Sequence, residues 1–254
     1  TGIVQIPSNG SLPDPMMDQL KRMKRLTNAE ISISLSLDGL KKTHERIRGA
    51  KGNWDEVWST FKRLRELGKH PVKINTVVTN ENKNELIELM LEVRRRGPDF
   101  HSIILLRGDP MDPETKLPTL DELRCLGPEI FSILETYDYG QNSLSAHILR
   151  NYHKYLWNLS LQTIEKQCQV IPCLAGRAHM VVMGNGDVSS CEELKPVGNI
   201  QVKSWDEIIK SPTFKQQVQD ITDGKCHCTH NCVMLDSILL DPKSIPNLLS
   251  QKIQ

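Results

Sequence analysis

Over its first hundred residues this chain alternates at short intervals between β-prone runs and amphipathic helical stretches, an order that few folds accept. Ile3, Val4 and Ile6 make a short β-prone run closed by the turn signal Pro7-Ser8-Asn9-Gly10. Leu12, Met16, Leu20 and Met23 then recur near helical spacing, with Pro13 and Pro15 confining regular helix to the residues after them. Ile31, Ile33, Leu35 and Leu37 alternate with Ser32, Ser34 and Ser36, a period of two that predicts a strand ended by Gly39. Asn53 is placed to cap a helix, with Asp55 and Glu56 in its first turn and Gly68 past its end. Trp54, Val57, Trp58, Phe61 and Leu64 give that helix one apolar face for packing against a sheet. Val72, Ile74, Thr76 and Val78 predict another strand, 86–96 a helix stopped by Gly97-Pro98, and 103–106 a further apolar strand. Strand and helix in turn, at this spacing, give βα units on a parallel sheet, either barrel-like or doubly wound.

Residues 108–118 read as a proline-rich loop, followed by helical stretches over 119–137 and 143–165. From about 168 the character changes to short strands, turns and cysteines. The expected organisation is therefore an α/β part over 1–118, a helical linker over 119–167 and a cysteine-rich part over 168–254. A formal net charge of +1 argues against nucleic acid as a partner. No apolar run approaches the ~18 residues that cross a bilayer, and no signal peptide is visible. The chain opens on Thr1 rather than Met, with a strand already under way, and is expected to be part of something longer.

Of seven cysteines, Cys125 stands alone and the other six lie in the last third. An odd, clustered set without a secretion signal argues for metal ligation over disulfides. Cys173 and Cys191 belong to a Cys-x12-Gly-x4-Cys pattern, and Cys226, Cys228 and Cys232 to a Cys-x-Cys-x3-Cys pattern. Between the first two, 180–183 and 187–189 flank Gly184-Asn185-Gly186, which reads as a β-hairpin holding both cysteines at its open end. Thiolates suit soft metals, so zinc and iron–sulfur are the candidates, and five cysteines exceed the four that either needs. Cys125 is assigned to buried packing and Cys168 is set aside as a non-ligand.

These residues together suggest a family. Cys173-Leu174-Ala175-Gly176, the run from Gly186 to Glu192, Val197-Gly198-Asn199-Ile200 and the last three cysteines resemble the SPASM/twitch auxiliary-cluster region of radical SAM enzymes. Upstream, Asn9-Gly10, the run from Ile33 to Gly39, His44, Arg46, Arg48-Gly49 and the run from Asn75 to Asn80 resemble the later half of a radical SAM barrel. The resemblance implies the later part of a partial (β/α)6 TIM-like barrel followed by a small SPASM/twitch-type domain. It also implies S-adenosylmethionine as cofactor and an auxiliary 4Fe–4S cluster on the C-terminal cysteines. The implied ligands are Cys173, Cys191, Cys228 and Cys232, with Cys226 an alternative, and Glu192 and His227 beside them. A catalytic cluster belongs on a Cys-x3-Cys-x2-Cys loop; no such spacing occurs here, and that second 4Fe–4S cluster is expected on a part preceding Thr1.

In a parallel β/α sheet, ligands bind at the C-terminal ends of the strands. Ser36 and Asp38 are placed there to hydrogen-bond a ribose or amino group, and Arg48 to hold a methionine carboxylate as a fork. Asn75 lies on the next strand and Arg107 ends the one after. The implied function is abstraction of a hydrogen atom from an unidentified peptide or small molecule by a 5′-deoxyadenosyl radical. A reductant such as flavodoxin or ferredoxin and a cytoplasmic setting go with it. The alternatives are a zinc-binding structural or interaction module and a non-catalytic fragment on the same scaffold.

Overall fold

A computed structural model of the chain describes residues 2–68, 70–137, 139 and 143–250. Thr1 and 251–254, the outer limits of the ranges read from the sequence, lie outside the described residues. The chain divides into two compact units: one runs to Leu106 and takes up Pro110–Ala146, and the other comprises Arg107–Asp109 and the chain from His147.

The first unit runs β1 (Ile3–Ser8), α1 (Pro13–Leu26), β2 (Glu30–Ser36), α2 (Lys41–Arg48), α3 (Asn53–Leu67), β3 (Val72–Val78), α4 (Leu86–Arg96), β4 (Phe100–Leu105) and α5 (Leu120–Leu134). The four strands form one parallel sheet in the order β1-β2-β3-β4. One face carries Ile31, Ile33 and Leu35 of β2 with Val72 and Ile74 of β3, and packs on Met17 and Leu20 of α1, on α3, and on Leu89 and Val93 of α4. Burying those β-branched and leucine side chains contributes about 1.5–3 kcal/mol each. The opposite face carries the serines of β2, Lys73 and Asn75 of β3 and Ser102 of β4. Apolar residues therefore bind the sheet to its helices, and polar ones are left for the other side.

Local details depart from the sequence reading for identifiable reasons. Asn53 is the first residue of α3 and not its cap; that position is Gly52, with φ 87°. The Asn53 side chain is occupied elsewhere, by His44 and the Asn9 carbonyl. α2 escapes the pattern because Lys-Lys-Thr-His-Glu-Arg-Ile-Arg has almost no apolar periodicity and buries only His44. β4 begins three residues before the apolar run, at Phe100. α5 opens on a capping box from Thr119 and Glu122.

The second unit holds α6 (Ser143–Lys166) from His147 on, then β5 (Val181–Val182), β6 (Asp187–Ser189), β7 (Gly198–Asn199), α7 (Trp205–Lys210), α8 (Pro212–Thr222), α9 (Asn231–Leu240) and α10 (Ile245–Leu249). The expected hairpin is present as antiparallel β5-β6, and β7 adds a third strand. This part is more helical than its turns and cysteines suggest, since α7 to α10 follow the sheet. Tyr152, Leu156 and Leu159 of α6 pack on Met234, Ile238 and Leu248. No described helix is long and apolar enough to cross a membrane.

Candidate functional site

The first unit gathers polar groups at the C-terminal ends of its strands. Ser36, Asn75 and Ser102 lie in register across β2, β3 and β4 on the face away from the helices. Among the described residues, the side chains of Ser36 and Asn75 have no hydrogen-bond partner, and both are half-buried. Asp38 differs. It is buried at 4% exposure. Its Oδ1 accepts from the Val77 N–H at 2.9 Å and its Oδ2 pairs with Arg48 at 2.5 Å. Of the four residues expected to bind cofactor, the structure thus leaves Ser36 and Asn75 open and commits Asp38 and Arg48 to each other.

Two side chains hold this turn: His44, one of the residues that carry the resemblance, and Asn82, which the sequence reading does not single out. The Asp38 N–H donates to His44 Nδ1 at 3.0 Å, so Nε2–H of that ring faces Asn53 Oδ1, also at 3.0 Å. Burial pushes the fully enclosed His44 below the usual histidine range, against the upward pull of Asn53. Asn82 is also fully buried. Its Nδ2 donates to the carbonyls of Asp38 and Val77 at 2.9 and 2.7 Å. Gly39 is required because a Cβ there would sit 2.7 Å from Glu85 Oε1 and 2.8 Å from the Thr43 Cβ.

The second unit brings four cysteines into mutual electrostatic range: Cys173, Cys191, Cys226 and Cys228. None of the seven is in a disulfide. Cys232, in the first turn of α9, faces Arg107, Glu192 and Asp236 instead. Cys125 is exposed on α5 rather than buried, and Cys168 is exposed as well. Burial pushes all four grouped thiols up. Backbone N–H groups two residues on oppose that shift at three of them: Ala175 at Cys173, Glu193 at Cys191 and His230 at Cys228. N–H groups directed at sulfur favour the thiolate, the form that ligates metal.

Neighbouring elements fix these loops. Gln217 of α8 accepts from the Ser190 N–H at 3.0 Å, and its amide donates to the Lys195 carbonyl at 3.0 Å. The Leu174 N–H reaches Ser237 of α9 at 3.3 Å, and the Cys228 N–H reaches Gln169 at 3.2 Å. Among the described residues no three His, Cys, Asp or Glu side chains close on one point to hold a single metal ion. The donor set, four thiols free of disulfides with Cys173, Cys191 and Cys226 packed in one cluster, fits a thiolate-bound iron–sulfur group in chemistry.

A polar chain reaches this group. Arg107, expected at a strand end, belongs with the second unit and pairs with Glu192. Burial pushes Glu192 up, but the Arg107 guanidinium outweighs it and holds the carboxyl below the usual range. His230 lies with Nε2 3.4 Å from Glu192 Oε1 and Nδ1 3.8 Å from the Cys191 sulfur. Burial, with Arg107 nearby, lowers His230 to about 4. Sequence reasoning singled out His227, which is exposed, and missed His230. The one signal for it in the sequence is its position between Cys228 and Cys232.

The sequence profile of the radical SAM superfamily matches residues 3–93, and that of SPASM, an iron–sulfur cluster-binding domain, matches 173–233. The chain is 28% identical over 80 residues to the sporulation killing factor maturation protein SkfB of Bacillus subtilis (strain 168), a match covering 32% of this chain and 19% of that protein. Among solved structures it resembles native anSMEcpe with bound AdoMet and Cp18Cys peptide, with a TM-score of 0.56 at 15% identity, covering 86% of this chain and 60% of that one. It also resembles a histidine-tagged form of anSMEcpe with bound AdoMet, with a TM-score of 0.57 at 15% identity over 86% of this chain and 59% of the other. The chain therefore spans about three fifths of those solved chains. At that identity the likeness shows the fold, a TIM-barrel-like α/β arrangement.

Proposed function

Because this chain belongs to the radical SAM superfamily and carries a SPASM iron–sulfur cluster-binding domain, we propose that it is part of an enzyme that takes a hydrogen atom from its substrate with the help of an auxiliary 4Fe–4S cluster. Iron–sulfur clusters and S-adenosylmethionine are implied by the two domains. When bound, they supply a 5′-deoxyadenosyl radical as the hydrogen abstractor. The residues of this chain bind and orient. Ser36 and Asn75 offer open polar groups to the cofactor at the strand ends, while Asp38, paired with Arg48, fixes the turn between them.

The auxiliary cluster is assigned to Cys173, Cys191, Cys226 and Cys228. The observation that carries this reading is the packing of Cys173, Cys191 and Cys226 in one cluster, with Cys228 in electrostatic range of all three. Cys226 is preferred to Cys232 because it lies in electrostatic range of the other three, whereas Cys232 faces Arg107, Glu192 and Asp236. The SPASM match over these cysteines favours iron–sulfur over zinc. A peptide substrate is favoured by the maturation role in the name of SkfB and by the peptide bound in anSMEcpe. A flavodoxin or ferredoxin would supply electrons.

The test is release of 5′-deoxyadenosine from S-adenosylmethionine by the complete gene product, loaded with iron and sulfide without oxygen and reduced with dithionite. Release that falls at least tenfold in a Ser36→Ala/Asn75→Ala double variant of normal stability supports the reading. No release from a fully loaded protein contradicts it.

A further inference from the structure

The ring of His230 lies against one of the grouped cysteines. His230 lies two residues after Cys228, and its ring lies with Nδ1 3.8 Å from the Cys191 sulfur. The side chain is buried, at the position preceding α9. His179 stacks edge-on against the ring, centroids 5.9 Å apart and planes at 86°, and is itself anchored 3.6 Å from Asp236. The imidazole is thus enclosed on three sides, by His179, Glu192 and the cysteine. At 3.4 Å the approach of Nε2 to Glu192 Oε1 is longer than an ordinary N–H···O hydrogen bond, and that oxygen already accepts from Arg107. With that oxygen shared with Arg107, the ring is free to carry its proton on Nδ1, and in that tautomer it donates to the Cys191 sulfur.

We infer that His230, held between the Arg107–Glu192 ion pair and Cys191, is a positioning residue that sets the reduction potential of the iron–sulfur cluster. The inference rests on the assignment of Cys191 as a ligand. An N–H directed at a ligating sulfur draws charge from it and favours the reduced cluster, and hydrogen bonds to sulfur are among the main determinants of cluster potential. A buried, enclosed ring delivers that effect without water competing for the sulfur.

The test is an EPR-monitored redox titration of the full chain, loaded with iron and sulfide without oxygen, with iron content measured on each sample. His230→Phe keeps a planar ring but no N–H; His230→Asn restores an amide N–H. In His230→Phe the ratio of reduced to oxidised cluster at a fixed potential should fall about tenfold, which is about 59 mV for a one-electron couple. His230→Asn should recover part of that shift, and iron content should match the unmodified chain in both. An unchanged potential in a fully loaded His230→Phe overturns the inference and leaves the cluster standing. Loss of iron from both variants also overturns it, because the residue would then be needed for binding rather than tuning. A parent chain that holds no iron and sulfide overturns the cluster assignment itself.

Discussion

Replacing Asp38 with alanine separates two roles that the sequence alone cannot tell apart, contact with cofactor and support of the strand-end turn. The carboxylate is buried, accepts from the Val77 N–H and pairs with an Arg48 whose side chain is 31% exposed. Losing a hydrogen bond to a charged acceptor costs about 1.5–3 kcal/mol. The ion pair, with one partner partly in water, adds at most about 1 kcal/mol. Asp38→Ala should therefore destabilise the first unit by about 3 kcal/mol, a drop in Tm of roughly 6–12 °C at the 2–4 °C per kcal/mol typical of this chain length. Asp38→Asn keeps the acceptor for Val77 and loses only the ion pair, so its Tm should fall by about 2–4 °C. Ser36→Ala and Asn75→Ala, whose side chains hydrogen-bond nothing described, should stay within about ±0.5 kcal/mol of the parent. Differential scanning calorimetry of the four variants checks the series. An Asp38→Ala chain melting within a degree of the parent would refute the reasoning, as would an asparagine variant as damaged as the alanine one.

Two more variants probe packing and proton binding. Gly176 has φ 77°, and a Cβ there would lie 2.6 Å from Val218 Cγ2 and 2.8 Å from Ser190 Oγ. Gly176→Ala should thus cost about 3 kcal/mol from left-handed strain and overpacking, read as a lower urea midpoint for the second unit. His101 is fully buried, its Nε2–H faces Thr76 Oγ1 at 2.7 Å, and burial lowers it to about 3 from 6.5. Between those values the unfolded chain binds the extra proton, so stability rises with pH and is lost as pH falls below 6.5. From about pH 6.5 to about pH 5 the loss should be about 2 kcal/mol, and His101→Gln should flatten the slope of unfolding free energy against pH by about one proton.

The parallel sheet was legible because its two sides differ in chemistry. The period-two run Ile31 to Leu37 and the pattern around Val72 and Ile74 state which residues meet the helices, and the structure keeps both assignments. The hairpin around Gly184-Asn185-Gly186 was legible for a similar reason, since turn residues sit between two β-prone runs. α2 was not, because its stability comes from His44 reaching Asp38 and Asn53, contacts that leave no period in the chain. At the strand ends, residue types suggested ligand binding for Asp38 and Arg48; that the two pair with each other was not legible, because ten residues separate them in the chain. His230 was hidden for the converse reason: its partners Arg107 and Glu192 are distant from it in sequence, and only folding brings His230 and Arg107 to the Cys191-Glu192 step.

The proposed chemistry depends on the cysteines of the second unit holding an iron–sulfur cluster. Iron, acid-labile sulfide and zinc should be measured on the chain purified without oxygen, alongside its visible absorption, for the parent and for single alanine variants of the five C-terminal cysteines. About four irons with matching sulfide per chain are expected, lost on substitution of Cys173, Cys191, Cys226 or Cys228 and retained in Cys232→Ala. About one zinc without sulfide in the parent would contradict the cluster assignment.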